Sequence, residues 1–229
     1  MICLPNFWFR SVALPLALAL PLSGCALSDG AQDQNATGTK NSVAGEHREK
    51  YRQNPNPAQA YEIILSVANA PGTFESVEGH AYYEAPNCSF VVDRAAGVRS
   101  HPDIGLPVLL HKRQDGSYTG TVYFDAMVDD EYFGNGTCRW KMTSMSVRLM
   151  ATGAKAETRY APSLTNRQVA DACPVRYYFW KGTYPSSRTS GFAAFGETDP
   201  AKYRTEIRDD LFSITLAARN PKNQQISCR

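Results

Sequence analysis

Apolar and polar residues alternate in short runs along most of this chain, and the pattern predicts β-strands. "YEIILSVANA" (residues 61–70) is followed by Pro-Gly, and "FESVEGHAYYEA" (residues 74–85) is followed by Pro-Asn. Later runs rich in Val, Tyr, Phe and Thr are likewise bounded by Gly, Pro, Asn or Asp. Strand-favouring residues between turn-favouring residues are typical of antiparallel sheets.

The same pattern extends to the end of the chain and predicts a mainly β fold. Asp115-Gly116 lies between two such runs and is the clearest hairpin signal. A short helix is predicted over residues 163–172, with a Ser or Thr cap and with Val169 facing inward, and a helical turn or two is predicted from Asp199. We therefore expect an antiparallel β-sandwich, immunoglobulin-like in general shape, with one or two short helices. The predicted strands cover residues 61–70, 74–85, 88–93, 106–113, 117–127, 137–152, 156–162, 174–184 and 211–219.

The N-terminal apolar run, Val12 to Leu22, is shorter than the ~20 residues that a membrane-spanning helix needs. Arg10 precedes it and small residues follow, as in a secretory signal peptide. Leu22-Ser23-Gly24-Cys25 closely resembles the bacterial lipobox. This resemblance implies cleavage before Cys25, a diacylglycerol on its sulfur and a third acyl chain on the new amino terminus. The alternative is an ordinary signal peptide with a chance cysteine.

These features divide the chain into three predicted segments. Residues 1–24 form the signal peptide, residues 25–58 a lipidated flexible tether, and residues 59–229 a single β-rich domain. The tether is predicted to be flexible because its residues are mostly polar and cannot bury enough apolar surface. Acyl chains would attach the protein to a membrane, and Ala26 in place of Asp implies the outer membrane, facing the periplasm. We predict no cofactor. The covalent lipid at Cys25 is the one non-protein group that we expect.

Charge and cysteine content narrow the expected partners. The formal net charge is +2, and the basic residues are scattered, so the chain has no electrostatic reason to bind nucleic acid. Of six cysteines, Cys3 leaves with the signal peptide and Cys25 is the lipidation site. Four remain: Cys88, Cys138, Cys173 and Cys228.

An even number of cysteines in an exported chain predicts two disulfides. Sequence alone allows three pairings, of which we predict Cys88–Cys138 and Cys173–Cys228. The alternative, a zinc site built from the four cysteines, lacks any pair at the CxxC spacing. We therefore predict no metal at these sulfurs.

No motif for catalysis is present. The chain has no GxSxG, HExxH, P-loop or GxGxxG sequence, and we predict that it is not an enzyme. Acidic residues crowd "FDAMVDDEYFGNG", where Asp125, Asp129, Asp130 and Glu131 could supply oxygen ligands for Ca²⁺. Their spacing is not that of an EF-hand, so a solvated loop is the preferred interpretation.

Two clusters are predicted to contact a protein partner. The first combines acidic and aromatic side chains: Asp129, Asp130, Glu131, Tyr132 and Phe133. The second lies in "RYYFWKGTYP" and comprises Tyr178, Trp180 and Tyr184. Exposed Tyr and Trp anchor protein interfaces, and the acidic residues would complement a basic partner. The alternative is burial in the core, because a strand turns alternate side chains inward.

Several stretches resemble a family of poorly characterised proteobacterial exported proteins and lipoproteins: "YEIILSVANAPGTFESVEGHAYYEAPNC", "YTGTVYFDAMVDDEYFGNGTCRW", "ATGAKAETRY" and "YYFWKGTYP…GFAAFG". The similarity spans most of residues 60–218 and brings no catalytic site with it. Some small lipoproteins of this general kind are immunity proteins, which block toxins injected by neighbouring bacteria. The resemblance implies an outer-membrane lipoprotein that binds another protein in the periplasm, with immunity as its most concrete form.

Two alternatives remain open. The chain could be a structural lipoprotein that helps to assemble the envelope or a secretion machine. It could also be a Ca²⁺-dependent hydrolase that uses the loop from Asp125 to Glu131.

Overall fold

The computed structural model describes residues 48–222, which form a mainly β structure as predicted. A short helix, α1, covers Asn166–Ala170, and 3-10 turns cover Lys181–Thr183, Pro200–Lys202 and Thr205–Asp210. The strands in chain order are β1 (Ala60–Ala68), β2 (Ser76–Glu84), β3 (Phe90–Asp93), β4 (Val98–Ser100), β5 (Asp103–Val108), β6 (His111–Lys112), β7 (Tyr118–Tyr123), β8 (Lys141–Met150), β9 (Arg159–Tyr160), β10 (Ser163–Thr165), β11 (Val175–Trp180), β12 (Ala193–Ala194) and β13 (Leu211–Arg219).

The strands form two principal sheets, consistent with the predicted sandwich. The five-stranded sheet has the order β11-β13-β1-β7-β6, and all of its pairs are antiparallel. The six-stranded sheet has the order β12-β9-β8-β2-β5, with β10 also paired to β8. Within it, only β12 and β9 run parallel. Strands β3 and β4 form a separate two-stranded hairpin.

Buried and partly exposed side chains alternate along the long strands, and the buried ones form the core. In β13, every second residue is buried, and Ile214 and Leu216 are completely buried. Strand β8 of the other sheet buries Met145, Val147 and Leu149 in the same way. Full burial of one such side chain contributes roughly 1.5–3 kcal/mol, so the inner faces of the two sheets supply the main stabilising contacts.

The predicted disulfide Cys88–Cys138 is confirmed. It joins two residues that are 50 positions apart in the sequence. In the chain-entropy description, a cross-link that closes a loop of this length stabilises the folded state by about 4 kcal/mol. Both cysteines are buried, and their bond rules out the four-cysteine zinc alternative. Cys173 is also disulfide-bonded. Its predicted partner, Cys228, lies outside the described residues, so that pairing stays a prediction.

Two predicted elements differ from the structure. The helix expected over residues 163–172 is shorter, because residues 163–165 pair with β8 and bury Leu164. Thr165 caps α1 in a capping box with Gln168, and Val169 is buried as predicted. The single strand expected over residues 106–113 is two strands, β5 and β6, which belong to different sheets.

Several predictions fall on residues that are not described. These are the signal peptide, the lipidation site Cys25, most of the tether and Cys228. Within residues 48–222, no helix has the length and apolar character needed to span a membrane.

Candidate functional site

The aromatic side chains of the first predicted cluster pack against the domain. The Tyr132 hydroxyl donates to the carbonyl oxygen of Val128 at 2.7 Å. Its ring meets those of Tyr51 and Trp140 edge-on, with centroids 5.4 and 6.2 Å apart. Phe133 stacks on Phe90 at 5.5 Å. Both Tyr132 and Phe133 are therefore half-buried in an internal aromatic cluster.

The acidic side chains beside them mostly hold local structure. Asp129 accepts a hydrogen bond from the backbone N–H of Trp140 at 2.8 Å. Asp130 forms an ion pair with Arg52 and accepts the N–H of Glu131 at 2.8 Å. Glu131 itself is exposed. Of the predicted acidic residues, it has the side chain most available to a partner.

The second predicted cluster is also partly used inside the fold. The Tyr184 hydroxyl donates to the carbonyl of Thr73 at 2.6 Å, and burial is the main cause of its raised pKa. The Trp180 ring covers Gly182, where an added Cβ would clash with the indole. Tyr178 is bridged to Glu197 through backbone hydrogen bonds. No ring contact among the described residues joins this cluster to the first one.

Residues 51–58, which we call the strap, are bound to the domain. Gln53 pairs with Met127, and the Asn54 N–H donates to the carbonyl of Ala126 at 2.8 Å. The Tyr51 ring meets Trp140 edge-on at 4.9 Å. Arg48 also forms an ion pair with Asp103 of β5 at 2.7 Å. Within the described residues, contacts with the domain are therefore present before residue 59, and Tyr51 is the large aromatic anchor among them.

Asp125 fixes the end of the strap. Its two carboxylate oxygens accept the N–H groups of Ala58 and Gln59 at 2.8 and 3.0 Å. Partial burial alone would raise the pKa of Asp125, but these backbone hydrogen bonds outweigh it and lower the pKa. The carboxylate is thus held in its charged form by the strap.

The acidic loop does not gather its carboxylates around one point. Asp125 binds the strap, Asp129 binds the Trp140 backbone and Asp130 binds Arg52. Within residues 48–222, no group of three His, Cys, Asp or Glu side chains is placed to hold a metal ion. The indole N–H of Trp140 is buried and has no hydrogen-bond partner in this part of the chain.

A different surface has open hydrogen-bonding groups: the cleft between β7 and β5, which we call the edge cleft. Strand β7 pairs with β1 along its whole length, but β6 covers it only at Tyr118 and Thr119. Residues 120–123 have no strand neighbour on that side within the described structure. A cavity of about 520 Å³ opens at this position.

Apolar side chains from both sheets line the interior of the edge cleft. Leu109 stands on its rim and is 77% exposed. The strap closes one end through Asn54 and Pro57, while the chain that crosses from β5 to β6 closes the other. The apolar lining includes Ala81, Tyr83, Leu106, Val108 and Val122.

The β7 edge presents backbone groups to this cleft. The Tyr123 carbonyl accepts the hydroxyl of Tyr83, and the Phe124 N–H donates to Gln59 on the β1 side. Because hydrogen-bonding directions alternate along a strand, the N–H and C=O of Thr121 point into the edge cleft. Neither has a partner among residues 48–222.

The opposite wall is built differently. The Pro102 carbonyl accepts the Ala85 N–H from β2, so alternate residues of β5 face β2. Pro107 therefore faces outward, and it has no N–H to offer. Pairing with an added strand is thus favoured at β7 rather than at β5.

A basic run lies at one end of the edge cleft. His111, Lys112 and Arg113 follow one another at β6, and His111 lines the cavity. None of the three forms an ion pair with another residue of the described range. Lys112 lies 5.9 Å from the ring of Tyr118, a cation–π contact that keeps it near the β7 edge.

Sequence reasoning missed the edge cleft because it treated residues 106–113 as one strand. The signal that could have revealed it is the pair Leu109-Leu110, which breaks the alternation where the chain passes from one sheet to the other. Comparison of the chain with protein-family models, with curated proteins and with solved structures finds no match, so the assignment of a site rests on this geometry.

Proposed function

We propose that this chain is an outer-membrane lipoprotein whose periplasmic β domain binds another protein by pairing with an extended segment of it. The observation that carries the proposal is the vacant strand position beside residues 120–123 of β7. An unpaired strand edge above an apolar cleft suits β-strand addition, in which backbone hydrogen bonds give affinity and pockets give specificity.

The edge cleft defines the chemistry of that segment. Four residues of strand span about 13 Å at roughly 3.3 Å each, so the segment is short. Alternate side chains would face the apolar lining around Val122 and Val108, and these should be apolar. An acidic residue near the basic run at His111–Arg113 would complete the charge match. The partner chemistry is therefore a short apolar strand that ends in an acidic residue.

Leu109 gives the segment an apolar contact at the entrance. Leu109, a large aliphatic side chain with 77% exposure, stands beside a cavity that has apolar side chains along part of its lining. Covering it with a partner residue removes apolar surface from water, which favours association. Leu109 therefore supports the edge cleft as the centre of the proposed binding surface, with Glu131 and the acidic loop as a second candidate surface.

The most concrete version of this function is immunity. The resemblance of residues 22–25 to a lipobox and the disulfide both support an exported protein, and a toxin that acts in the envelope would meet the domain there. The alternative is a structural lipoprotein of the envelope or of a secretion machine. Deletion separates the two, since loss of immunity lowers survival only beside an attacking strain, whereas loss of a structural protein causes a defect in pure culture.

Photo-cross-linking in cells tests the binding surface. A photoreactive phenylalanine at Leu109 of the full-length lipoprotein should cross-link to one extended segment of one partner. The same group at exposed Lys155 is the matched control and should not. A cross-link from Glu131 in place of Leu109 would instead assign the partner to the acidic loop and overturn the edge-cleft assignment.

The backbone N–H of Thr121 gives a sharper test. The Thr121→Pro variant lacks this N–H donor. The domain itself does not use that donor, so the hydrogen bonds between β1 and β7 stay intact. A synthetic peptide of the cross-linked segment should bind Thr121→Pro about tenfold or more weakly. Thr121→Val keeps the N–H and should bind about as tightly as the unmodified protein. Equal binding by the Pro and Val variants would rule out strand pairing.

A further inference from the structure

We propose a second binding site, for an acidic saccharide, on the outer face of the six-stranded sheet. A hollow of about 560 Å³ lies there, on the side of the sheet that faces away from the core. We call it the outer hollow. Its side chains come from four strands and the residue after β12: Tyr82, Ser146, Arg148, Arg159, Ser163 and Phe195. The proposal does not depend on the edge cleft.

Aromatic rings form the apolar part of the outer hollow. Phe195 is 68% exposed and Tyr82 is 42% exposed, so both rings are accessible to a ligand. The His80 ring stacks against Tyr82, with centroids 6.4 Å apart. Gly105 on the neighbouring strand lets the Tyr82 ring approach, since a Cβ there would lie 3.2 Å from it. The Tyr82 ring is thus supported from two sides and offers a surface for stacking.

Two guanidinium groups supply fixed charge. Arg159 donates through Nη2 to the carbonyl of Gly191 at 2.6 Å. Arg148 forms an ion pair with Glu78. A guanidinium carries five N–H donors, so each arginine keeps donors for a ligand while one contact holds it in place. Two arginines against one carboxylate leave a net positive charge at the outer hollow.

Hydroxyl groups also line the outer hollow. Ser146 of β8 is paired directly with Ser163 of β10, and both line the outer hollow. A hydroxyl both donates and accepts hydrogen bonds, as a sugar hydroxyl requires. The pair places two such groups side by side on the sheet surface.

One ligand class uses all three features. A pyranose ring has C–H faces that stack on aromatic rings, hydroxyls that match serine and, in acidic sugars, a carboxylate or phosphate that guanidinium binds strongly. The volume of the outer hollow is within the roughly 300–1,000 Å³ of small-molecule sites. A membrane surface fits less well, because the rings line a hollow, whereas bilayer binding needs apolar side chains that project from the surface.

Calorimetric titration of the detergent-purified lipoprotein tests the site. The probes are short saccharides that contain uronic acid or sugar phosphate, each beside its methyl-esterified or dephosphorylated counterpart. We expect saturable binding of at least one acidic saccharide, and about tenfold or weaker binding of its neutral counterpart. Absence of saturable binding by every acidic probe, or equal binding of the matched pair, would overturn the proposal.

Variants locate the binding. Tyr82→Ala and Arg159→Gln should each weaken saccharide binding about tenfold or more while the variant domains stay folded, since both side chains lie at the surface. Leu109→Ser in the edge cleft is the control and should leave saccharide affinity unchanged, so failure at one site is distinguishable from failure at the other. Blue-shifted, lipid-quenched fluorescence of Phe195→Trp in liposomes would assign this face to the bilayer and contradict the proposal.

Discussion

The hydroxyl of Tyr83 donates a hydrogen bond to the carbonyl oxygen of Tyr123 at 2.6 Å. Tyr83 belongs to the six-stranded sheet and Tyr123 to the five-stranded sheet, so this bond links the two sheets beside the edge cleft. Burial raises the pKa of Tyr83 to about 12. The bond therefore persists over the physiological range and sets the spacing of the sheets where the partner segment is proposed to enter.

Removal of this hydroxyl should destabilise the domain. We expect Tyr83→Phe to lower the free energy of unfolding by about 1 kcal/mol, the usual contribution of one hydrogen bond. Tyr82→Phe is the matched control, since Tyr82 is exposed on the opposite face of the same strand. Urea denaturation of both variants measures the difference. Equal stability of the two variants would show that the inter-sheet bond contributes nothing.

The raised pKa of Tyr83 also predicts a response to alkaline pH. A folded-state pKa above the unfolded value near 10 means that the stabilisation is complete below about pH 10 and declines as pH rises towards the folded value. The Tyr83→Phe variant should lose less stability than the unmodified protein between about pH 10 and pH 12. Denaturation midpoints at two pH values in this window check the prediction.

The disulfide should be a major source of stability. We expect the double variant Cys88→Ser, Cys138→Ser to lose about 4 kcal/mol of unfolding free energy, because the unfolded chain is no longer restricted by the cross-link. Calorimetry in the absence of reductant measures this. The unmodified protein with reductant should lose at least as much stability, because reductant also opens the disulfide of Cys173. A loss well under about 1 kcal/mol in the double variant would contradict the entropic account.

Asp125 predicts a response to acid. Its folded-state pKa is lowered, so its contribution is complete above the unfolded value near 4 and is lost as pH falls through the folded value. Asp125→Asn should therefore be less stable than the unmodified protein at neutral pH, and the difference should shrink below about pH 4. Glu131→Gln, at an exposed position, is the matched control for the loss of one carboxylate charge. Urea denaturation at neutral pH and below about pH 4 measures the difference, and a difference that does not depend on pH would contradict the assignment.

Tyr51 should hold the strap on the domain. Tyr51→Ala removes the ring that contacts Trp140 and Tyr132, and we expect a loss of about 2 kcal/mol with faster proteolysis within residues 51–58. Tyr51→Phe keeps the ring and should behave almost as the unmodified protein. If the Ala and Phe variants are cleaved at equal rates, the aromatic contact does not anchor the strap.

Turn chemistry and alternation made much of the fold predictable from the sequence. Asp115-Gly116 predicted a hairpin, and β6 and β7 are joined there, with Gly116 at a φ of 82°. Alternation in residues 211–219 correctly predicted β13. The Cys88–Cys138 pairing was confirmed, although spacing alone left three possibilities open.

The candidate site was less predictable, because it depends on contacts between distant residues. Nothing local showed that Tyr132 would pack on Tyr51, which is distant in sequence and was assigned to the tether. Nor did the alternation of residues 106–113 reveal that the chain changes sheets at Leu109 and leaves part of β7 unpaired. A strand edge is open when no other strand pairs with it. The sequence of one strand does not show which strands lie beside it in the fold.

The outward-facing Pro107 of β5 has a consequence for how copies of this protein can coexist. An unprotected sheet edge recruits the same edge of another molecule and can seed fibrils. Proline leaves that edge one donor short, so a continuous ladder between two copies would be interrupted there. Molecules at high local concentration would thus stay separate along β5, while β7 remains open to a different chain.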